Sequence, residues 1–402
     1  MGEIFAAFAK GTRRTIYAAL FALSSGALAE TASSDNWQLA QPAAVSLSEE
    51  ALNAVHQDIQ NGLYGYIDAF LVARQGKLIF EQYYEHDYPS IYRQEAATPG
   101  ALVVNDPSGP YNYFNAWWHP YYRNTTLHSM QSVTKSVVSA LVGIALSRGE
   151  FPDLDTPVLQ FFDEADVENV DRRKRDMTLR DLLTMSDGLL WNENLPYNDP
   201  NNSFAVMAKA HNWVQYTLDL PMGSEPGTVF NYNSGATLIL GHIFRLATGT
   251  DIEEYALKHL FKPLGIDGYY WDRTPYGLTD TQEGLYISAR SLAKIAQLFL
   301  QKGRWQDEQV VPAAWIEESI SPRYPTGKPD DEAYGYLWWS QPYSFQGKTV
   351  RAYFGKGFGG QRPIFLPELD MVIVLTGWNI LPGQPFLHAM TAVERVTAAV
   401  IE

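Results

Sequence analysis

Apolar residues near both ends of the chain run in short strand-like blocks, and between those ends they recur at helical spacing. Residues 67–72 and 77–83 are two such blocks meeting at Gln75-Gly76, a pattern that predicts a hairpin. After Gly303 the strand-like runs return at 334–339, 349–354, 363–366 and 371–376. From 131 to about 300 the period is mainly helical. Thr178 and Asp181 form a capping pair ahead of a helix over 179–185, and further helices are expected over 235–247 and 252–260. A last helix is expected over 389–401. Strands on both sides of a helical middle predict a mixed α/β fold: an antiparallel-dominated sheet flanked by helices, with a mainly helical subdomain inserted. On this pattern 46–130 and 285–402 build the sheet domain, and 131–284 the helical subdomain. Residues 86–127 are irregular and rich in aromatics, broken throughout by Pro and Gly. They read either as a long packed loop or as a surface excursion with its own small cluster.

Composition narrows the class. At 402 residues and 46% hydrophobic, the chain is long enough for a large core or two subdomains. Lys10, Arg13 and Arg14 precede an apolar run over 16–23, and Ala27-Leu28-Ala29 is a small-x-small cleavage site. Residues 1–29 therefore read as a signal peptide cut near Ala29, with 30–45 as a linker and a periplasmic or secreted location for the remainder. An uncleaved anchor is the alternative, although the run is short for a bilayer. Removing the net +2 of residues 1–29 takes the formal charge from −15 to −17. So acidic a chain argues against nucleic acid or an anionic membrane as partner. Cysteine is absent, which excludes disulfides, thiolate metal sites and cysteine nucleophiles. The eight histidines are scattered without ligand spacing, so a metal site has little support.

Candidate chemistry centres on Ser132-Val133-Thr134-Lys135. A helix there places the Ser132 hydroxyl beside the Lys135 amine. Serine becomes a useful nucleophile once a neighbour takes its proton, and an amine set among apolar side chains is able to, because burial disfavours the ammonium. Val133, Val137, Val138, Leu141, Val142 and Ile144 supply that setting, and no carboxylate lies three or four positions from Lys135. A Ser-x-x-Lys match arises by chance about once in a chain of this size. Ser291-Leu292-Ala293-Lys294 is such a decoy, with Lys294 on the polar stripe Arg290, Lys294, Gln297, Gln301 and therefore expected in solvent. Two further elements support the first. Tyr232, in Phe230-Asn231-Tyr232-Asn233-Ser234-Gly235, offers a phenol able to share and return the serine proton if Lys135 lowers or matches its pKa. The glycines of 355–361 permit close backbone approach to a substrate, with backbone N–H groups available to a carbonyl oxyanion. The alternatives are a capping turn for the tyrosine and a plain glycine-rich hairpin for the last.

Taken together, these motifs resemble the serine β-lactamase-like and penicillin-binding-protein-like hydrolases. The likeness is strongest to the class C branch that includes family VIII carboxylesterases and 6-aminohexanoate-dimer hydrolases. The resemblance spans about 60 to 400 and extends to 181–189, Tyr334-Gly335-Tyr336-Leu337-Trp338-Trp339 and 359–367. It implies a β-lactamase/transpeptidase-like fold with Ser132 as acylated nucleophile, Lys135 as its activating partner and Tyr232 as general base, then acid. It also implies an oxyanion hole from the backbone N–H groups of Ser132 and Gln361, and no cofactor. Ser234, Phe358, Gly359 and Gly360 take the places of the family's substrate-binding motif residues. Tyr232-Asn233-Ser234 stands where the family commonly has Tyr-x-Asn, and Phe358-Gly359-Gly360 where it has Lys-Thr-Gly or His-x-Gly. A phenylalanine cannot attract a substrate carboxylate, which points to an ester or small amide as substrate rather than a lactam or cell-wall peptide. The alternatives are β-lactamase or D-amino-acid peptidase activity on the same fold, or a penicillin-binding-type sensor module without turnover. Ser186-Asp187-Gly188 reads as a turn, and Trp191 and Trp213 are candidates to line an apolar acyl pocket, with core packing as the alternative.

Overall fold

The strand-like runs at the ends of the chain are nearly continuously apolar because one sheet is buried on both faces. The computed structural model describes residues 37–401 apart from Pro99 and Pro329. The expected signal peptide, its cleavage site and the first part of the expected linker lie outside the described residues. Eight strands form the large sheet: β1 (Ile67–Arg74), β2 (Lys77–Tyr83), β3 (Tyr324–Pro325), β4 (Ala333–Tyr334), β5 (Trp339–Phe345), β6 (Lys348–Phe354), β7 (Arg362–Leu366) and β8 (Met371–Gly377). Their order is β2-β1-β8-β7-β6-β5-β4-β3, antiparallel throughout. Strands β3 to β8 are thus a meander, and the early hairpin adds to its last strand, with Phe70 opposite Leu375 and Val72 opposite Ile373.

Five helices frame this sheet and the site: α1 (Glu49–Gln60), α2 (Thr134–Ser147), α3 (Ser234–Thr248), α4 (Ala289–Leu300) and α5 (Ala389–Thr397). Phe70, Val72, Ile373 and Leu375 point to one side and cluster with Leu52 and Val55 of α1 and Val393 and Val396 of α5. Their neighbours Leu71, Val372 and Val374 point to the other, into a larger core with Leu292 and Phe299 of α4 and Val137 and Leu141 of α2. Helix–sheet–helix layering of this kind is the mixed α/β arrangement expected. The capping box at Thr178–Asp181 forms, opening the helix Leu179–Leu183.

Four expectations change. The run 334–339 is two strands interrupted by a turn, with Leu337 in the left-handed region (φ 62°). The cause is close packing at Gly335, where a Cβ would sit 2.3 Å from the Ser319 carbonyl oxygen. Residues 37–45 are no slack linker: Trp37 is buried, its indole Nε1 donates to the Gly76 carbonyl at 2.9 Å, and Pro42–Val45 is a 3-10 turn. The helical middle also contains strand. His128–Ser129, Leu285–Ile287 and Tyr269–Trp271 form a small antiparallel sheet. Finally, Lys294 is buried rather than solvated, its Nζ donating to the Leu264 and Gly265 carbonyls at 3.0 and 3.1 Å. Its long stem crosses apolar surface and its ammonium reaches carbonyls at the end of a neighbouring segment, so helical-wheel polarity misplaced it.

Candidate active site

Ser132 lies in a 3-10 turn, Gln131–Val133, that leads directly into α2. Gln131 is buried with φ 50°, a left-handed conformation uncommon for a residue with a side chain. It turns the chain sharply out of the His128–Ser129 strand and presents Ser132 half-exposed at the helix start. Behind it, His128 Nε2 lies 3.0 Å from Asp68 Oδ2, tying this segment to β1. One helical turn on, Lys135 is 1% exposed, and its Nζ donates to Ser132 Oγ at 3.0 Å and to the Gln282 carbonyl at 2.9 Å.

The surroundings of Lys135 are less apolar than its own helix suggested. Glu193, Asp280 and Glu283 all interact electrostatically with its amine. Burial raises the pKa of each, and Lys135 opposes that rise; Glu283 is raised further by Asp280. The Asp280–Glu283 segment is held by phenols, Tyr111 donating to Asp280 and Tyr113 to Glu283. These carboxylates arrive from loops far away in the sequence, so no spacing rule around Lys135 finds them. The residue clue available was their setting in the otherwise polar stretch Asp280-Thr281-Gln282-Glu283.

Tyr232 approaches from the opposite side. Its ring centre lies 5.2 Å from Lys135 Nζ, and Trp339 stacks against it at 5.7 Å. Burial raises the pKa of the phenol above its ordinary value; the nearby Lys135 and hydrogen bonding to Ser132 and Lys135 pull it down, while Glu193 pushes it up. The net direction is upward, contrary to the lowering expected from the amine alone, because desolvation of a phenolate is the largest effect here. The next residue, Asn233, caps α3: its side chain accepts from the Ala236 N–H and donates to Asp187 Oδ1 at 3.1 Å. Ser186-Asp187-Gly188 is irregular chain just after the turn at 184–185, with Gly188 at φ 80°, and Asp187 Oδ1 accepts from the Asn233 side-chain amide and the Leu189 N–H.

Ser234 is occupied as well. Its backbone N–H and hydroxyl donate to Glu193 at 2.9 and 3.1 Å, and Trp191 Nε1 donates to the same carboxylate at 2.7 Å. Trp191 therefore orients Glu193, whereas Trp213 packs edge-on against Tyr111 inside the core.

Residues 357–361 form a tight turn before β7, with Gly359 at φ 92° and Gly360 at φ 130°. A Cβ on Gly357 would sit 2.7 Å from the Met130 carbonyl, so the turn lies directly against the segment bearing Ser132. Neither the Ser132 nor the Gln361 backbone N–H meets an acceptor among the described residues. Phe358 packs on Tyr113 and Tyr197, with ring centres 5.2 and 6.0 Å away, which brings part of the aromatic stretch 86–127 to the site. Lys356 turns aside to an ion pair with Glu332 and lies over the Trp339 ring at 3.9 Å. A separate cleft of about 830 Å³, lined by Tyr66, His86 and Asn379 among others, contains none of these side chains.

The beta-lactamase family profile matches residues 68–388. The chain belongs to that family of hydrolases. Among its relatives, the 6-aminohexanoate-dimer hydrolase of Paenarthrobacter ureafaciens is 24% identical over 312 residues, covering 71% of this chain and 74% of that protein. Two solved structures share the fold. EstCE1, a hydrolase with promiscuous acyltransferase activity, superposes with a TM-score of 0.62 at 13% identity over 88% of this chain and 98% of the other. A penicillin-binding protein homolog from Caulobacter crescentus gives 0.60 at 14% identity over 88% and 98%. The antiparallel sheet and its helices thus match a β-lactamase/transpeptidase-like architecture.

Proposed function

We propose that this member of the family is a serine hydrolase that cleaves a carboxylic ester or small amide through an acyl-Ser132 intermediate. The observation that carries the reading is the 3.0 Å contact from Lys135 Nζ to Ser132 Oγ, with the Tyr232 ring beside the same amine. Ser132 Oγ attacks the substrate carbonyl carbon as its proton passes to Lys135, a step that needs the amine uncharged. The resulting oxyanion accepts hydrogen bonds from the Ser132 and Gln361 N–H groups. Collapse breaks the bond to the leaving group, which takes a proton from the Tyr232 hydroxyl while Lys135 resupplies the phenol. The raised phenol pKa suits a group that begins as a donor. Water then attacks the acyl carbon, its proton entering the same relay, and the acid leaves with Ser132 restored.

The charges favour substrates without a carboxylate at the third motif. Phe358 is neutral, and the neighbouring cation Lys356 already has Glu332 as partner. The test is nitrophenyl-ester cleavage by the purified chain. Ser132→Ala should abolish it, and Lys135→Ala and Tyr232→Phe should each cost about three orders of magnitude in kcat. Unchanged turnover by Ser132→Ala ends the proposal, and labelling by a serine-reactive phosphonate without turnover supports the sensor module instead.

A further inference from the structure

Beside Gln361 stands a buried cation for which the reaction above has no use. Arg362 is 9% exposed, and its Nη1 donates to the Gly357 carbonyl and to the Gln361 carbonyl, both at 2.8 Å. Those two oxygens are the first and last carbonyls of the turn that offers the Gln361 N–H. The turn has little stiffness of its own, since two successive residues, Gly359 and Gly360, are glycines with positive φ. The Gly360–Gln361 peptide, which carries the N–H in question, follows directly after them and is the part most able to swivel.

Four other bonds fix the surroundings. Gly357 N donates to the Gln361 carbonyl at 2.9 Å, Gly360 N donates to the Gly357 carbonyl at 3.2 Å, Gln361 Nε2 donates to the Gly377 carbonyl at 2.9 Å, and Asn379 N donates to the Gly359 carbonyl at 2.9 Å. The Gly357 N–H links the two ends of the turn directly, and Arg362 adds a single charged nitrogen that holds both end carbonyls. Charge-assisted bonds of this kind are about twice as strong as neutral ones. The guanidinium also lies over the Phe386 ring, 5.0 Å from its centre, which fixes its position from outside. Burial lowers the Arg362 pKa to about 10, which still leaves it charged at neutral pH.

We propose that Arg362 is a positioning residue: by clamping the Gly357 and Gln361 carbonyls it keeps the Gln361 N–H aimed at the oxyanion. This rests on the acyl-serine reading. It assigns Arg362 no contact with substrate and predicts a loss confined to the tetrahedral stage.

The experiment uses Arg362→Lys and Arg362→Ala in the full chain, with folding verified by circular dichroism; should the alanine variant fail to fold, the lysine variant carries the test. Both should lose about 10- to 100-fold in kcat toward a nitrophenyl ester with KM moved by less than about threefold. Affinity for benzeneboronic acid, whose tetrahedral adduct puts an oxygen in the same hole, should fall by the same factor as kcat. Guanidinium chloride at about 20 mM should restore part of the Arg362→Ala rate, and sodium chloride at equal strength should not, because guanidinium carries N–H donors for the two carbonyls and sodium has none. Wild-type kcat in folded Arg362→Lys and Arg362→Ala, or a loss in KM with boronate affinity unchanged, overturns the assignment. A wild-type chain whose ester turnover survives Ser132→Ala indicts the acyl-serine reading instead.

Discussion

Asp187 and Asn233 show how much a single buried pair near the site carries. Asn233 closes the first turn of α3 and holds Asp187 at the same time, one position after Tyr232. Asp187 Oδ2 has no partner among the described residues, and burial raises this carboxyl to about 7. Asn233→Ala should therefore destabilise by about 2 kcal/mol, the sum of a lost helix cap and an abandoned acceptor. Urea unfolding of Asn233→Ala, Asp187→Asn and the double variant measures the coupling; strictly additive effects would contradict the pairing. At this scale Ser132 and Lys135 were legible because their partnership is local, three residues along one helix. Glu193, Asp280 and Glu283 were illegible for the opposite reason: each reaches Lys135 through tertiary folding alone. The phenol of Tyr232 was legible as a motif residue, but the direction of its pKa depends on burial that no spacing reveals.

Among the elements, α2 is closely confined. All its residues from Thr134 to Ala145 are buried, and at Gly143 it meets the flat indole of Trp315. A Cβ there would fall 2.2 Å from two ring atoms, so the helix approaches Trp315 only because position 143 has no side chain. Gly143→Ala should cost about 3 kcal/mol through overpacking, despite alanine's better helix propensity, and should depress ester turnover by displacing Ser132 and Lys135 together. A stability equal to or above wild type in thermal melts would show that Trp315 yields freely. The long helices and the early hairpin lie where their apolar runs place them, although α2 and β1 are buried all round rather than on one face. The run 334–339 does not: its aromatic residues serve a turn pressed on the helix Ala313–Ile320, and apolar character alone does not separate strand from packed turn.

For the whole molecule, buried acid is the distinguishing feature. Asp187 and Asp272 are both raised to about 7, chiefly by burial, and Asp280, Glu283 and Glu193 are raised in the same direction. In the unfolded chain these groups titrate near 4. The native state therefore holds more protons, so stability is fullest below about 4 with respect to these groups and is lost as pH rises through about 7. Exposed ion pairs such as Arg175–Glu164 act in the opposite sense, but solvent screening leaves them small. The melting temperature should accordingly be several degrees higher at pH 6 than at pH 8, and a flat or rising profile would rule this balance out. The class of fold was legible from the order of strand-like and helical runs. Strand order was not, because the neighbour of β1 is chosen by side chains at the far end of the chain.

That pairing of β1 with β8 has a consequence for biosynthesis. A nascent chain exposes the 67–83 hairpin long before the strand Met371–Gly377 that completes its ladder has been translated. Until then one hairpin edge offers unsatisfied backbone groups to any passing β-segment, a hazard for aggregation. Synthesis of Met371–Gly377, well over 250 residues after the hairpin, is what completes its ladder.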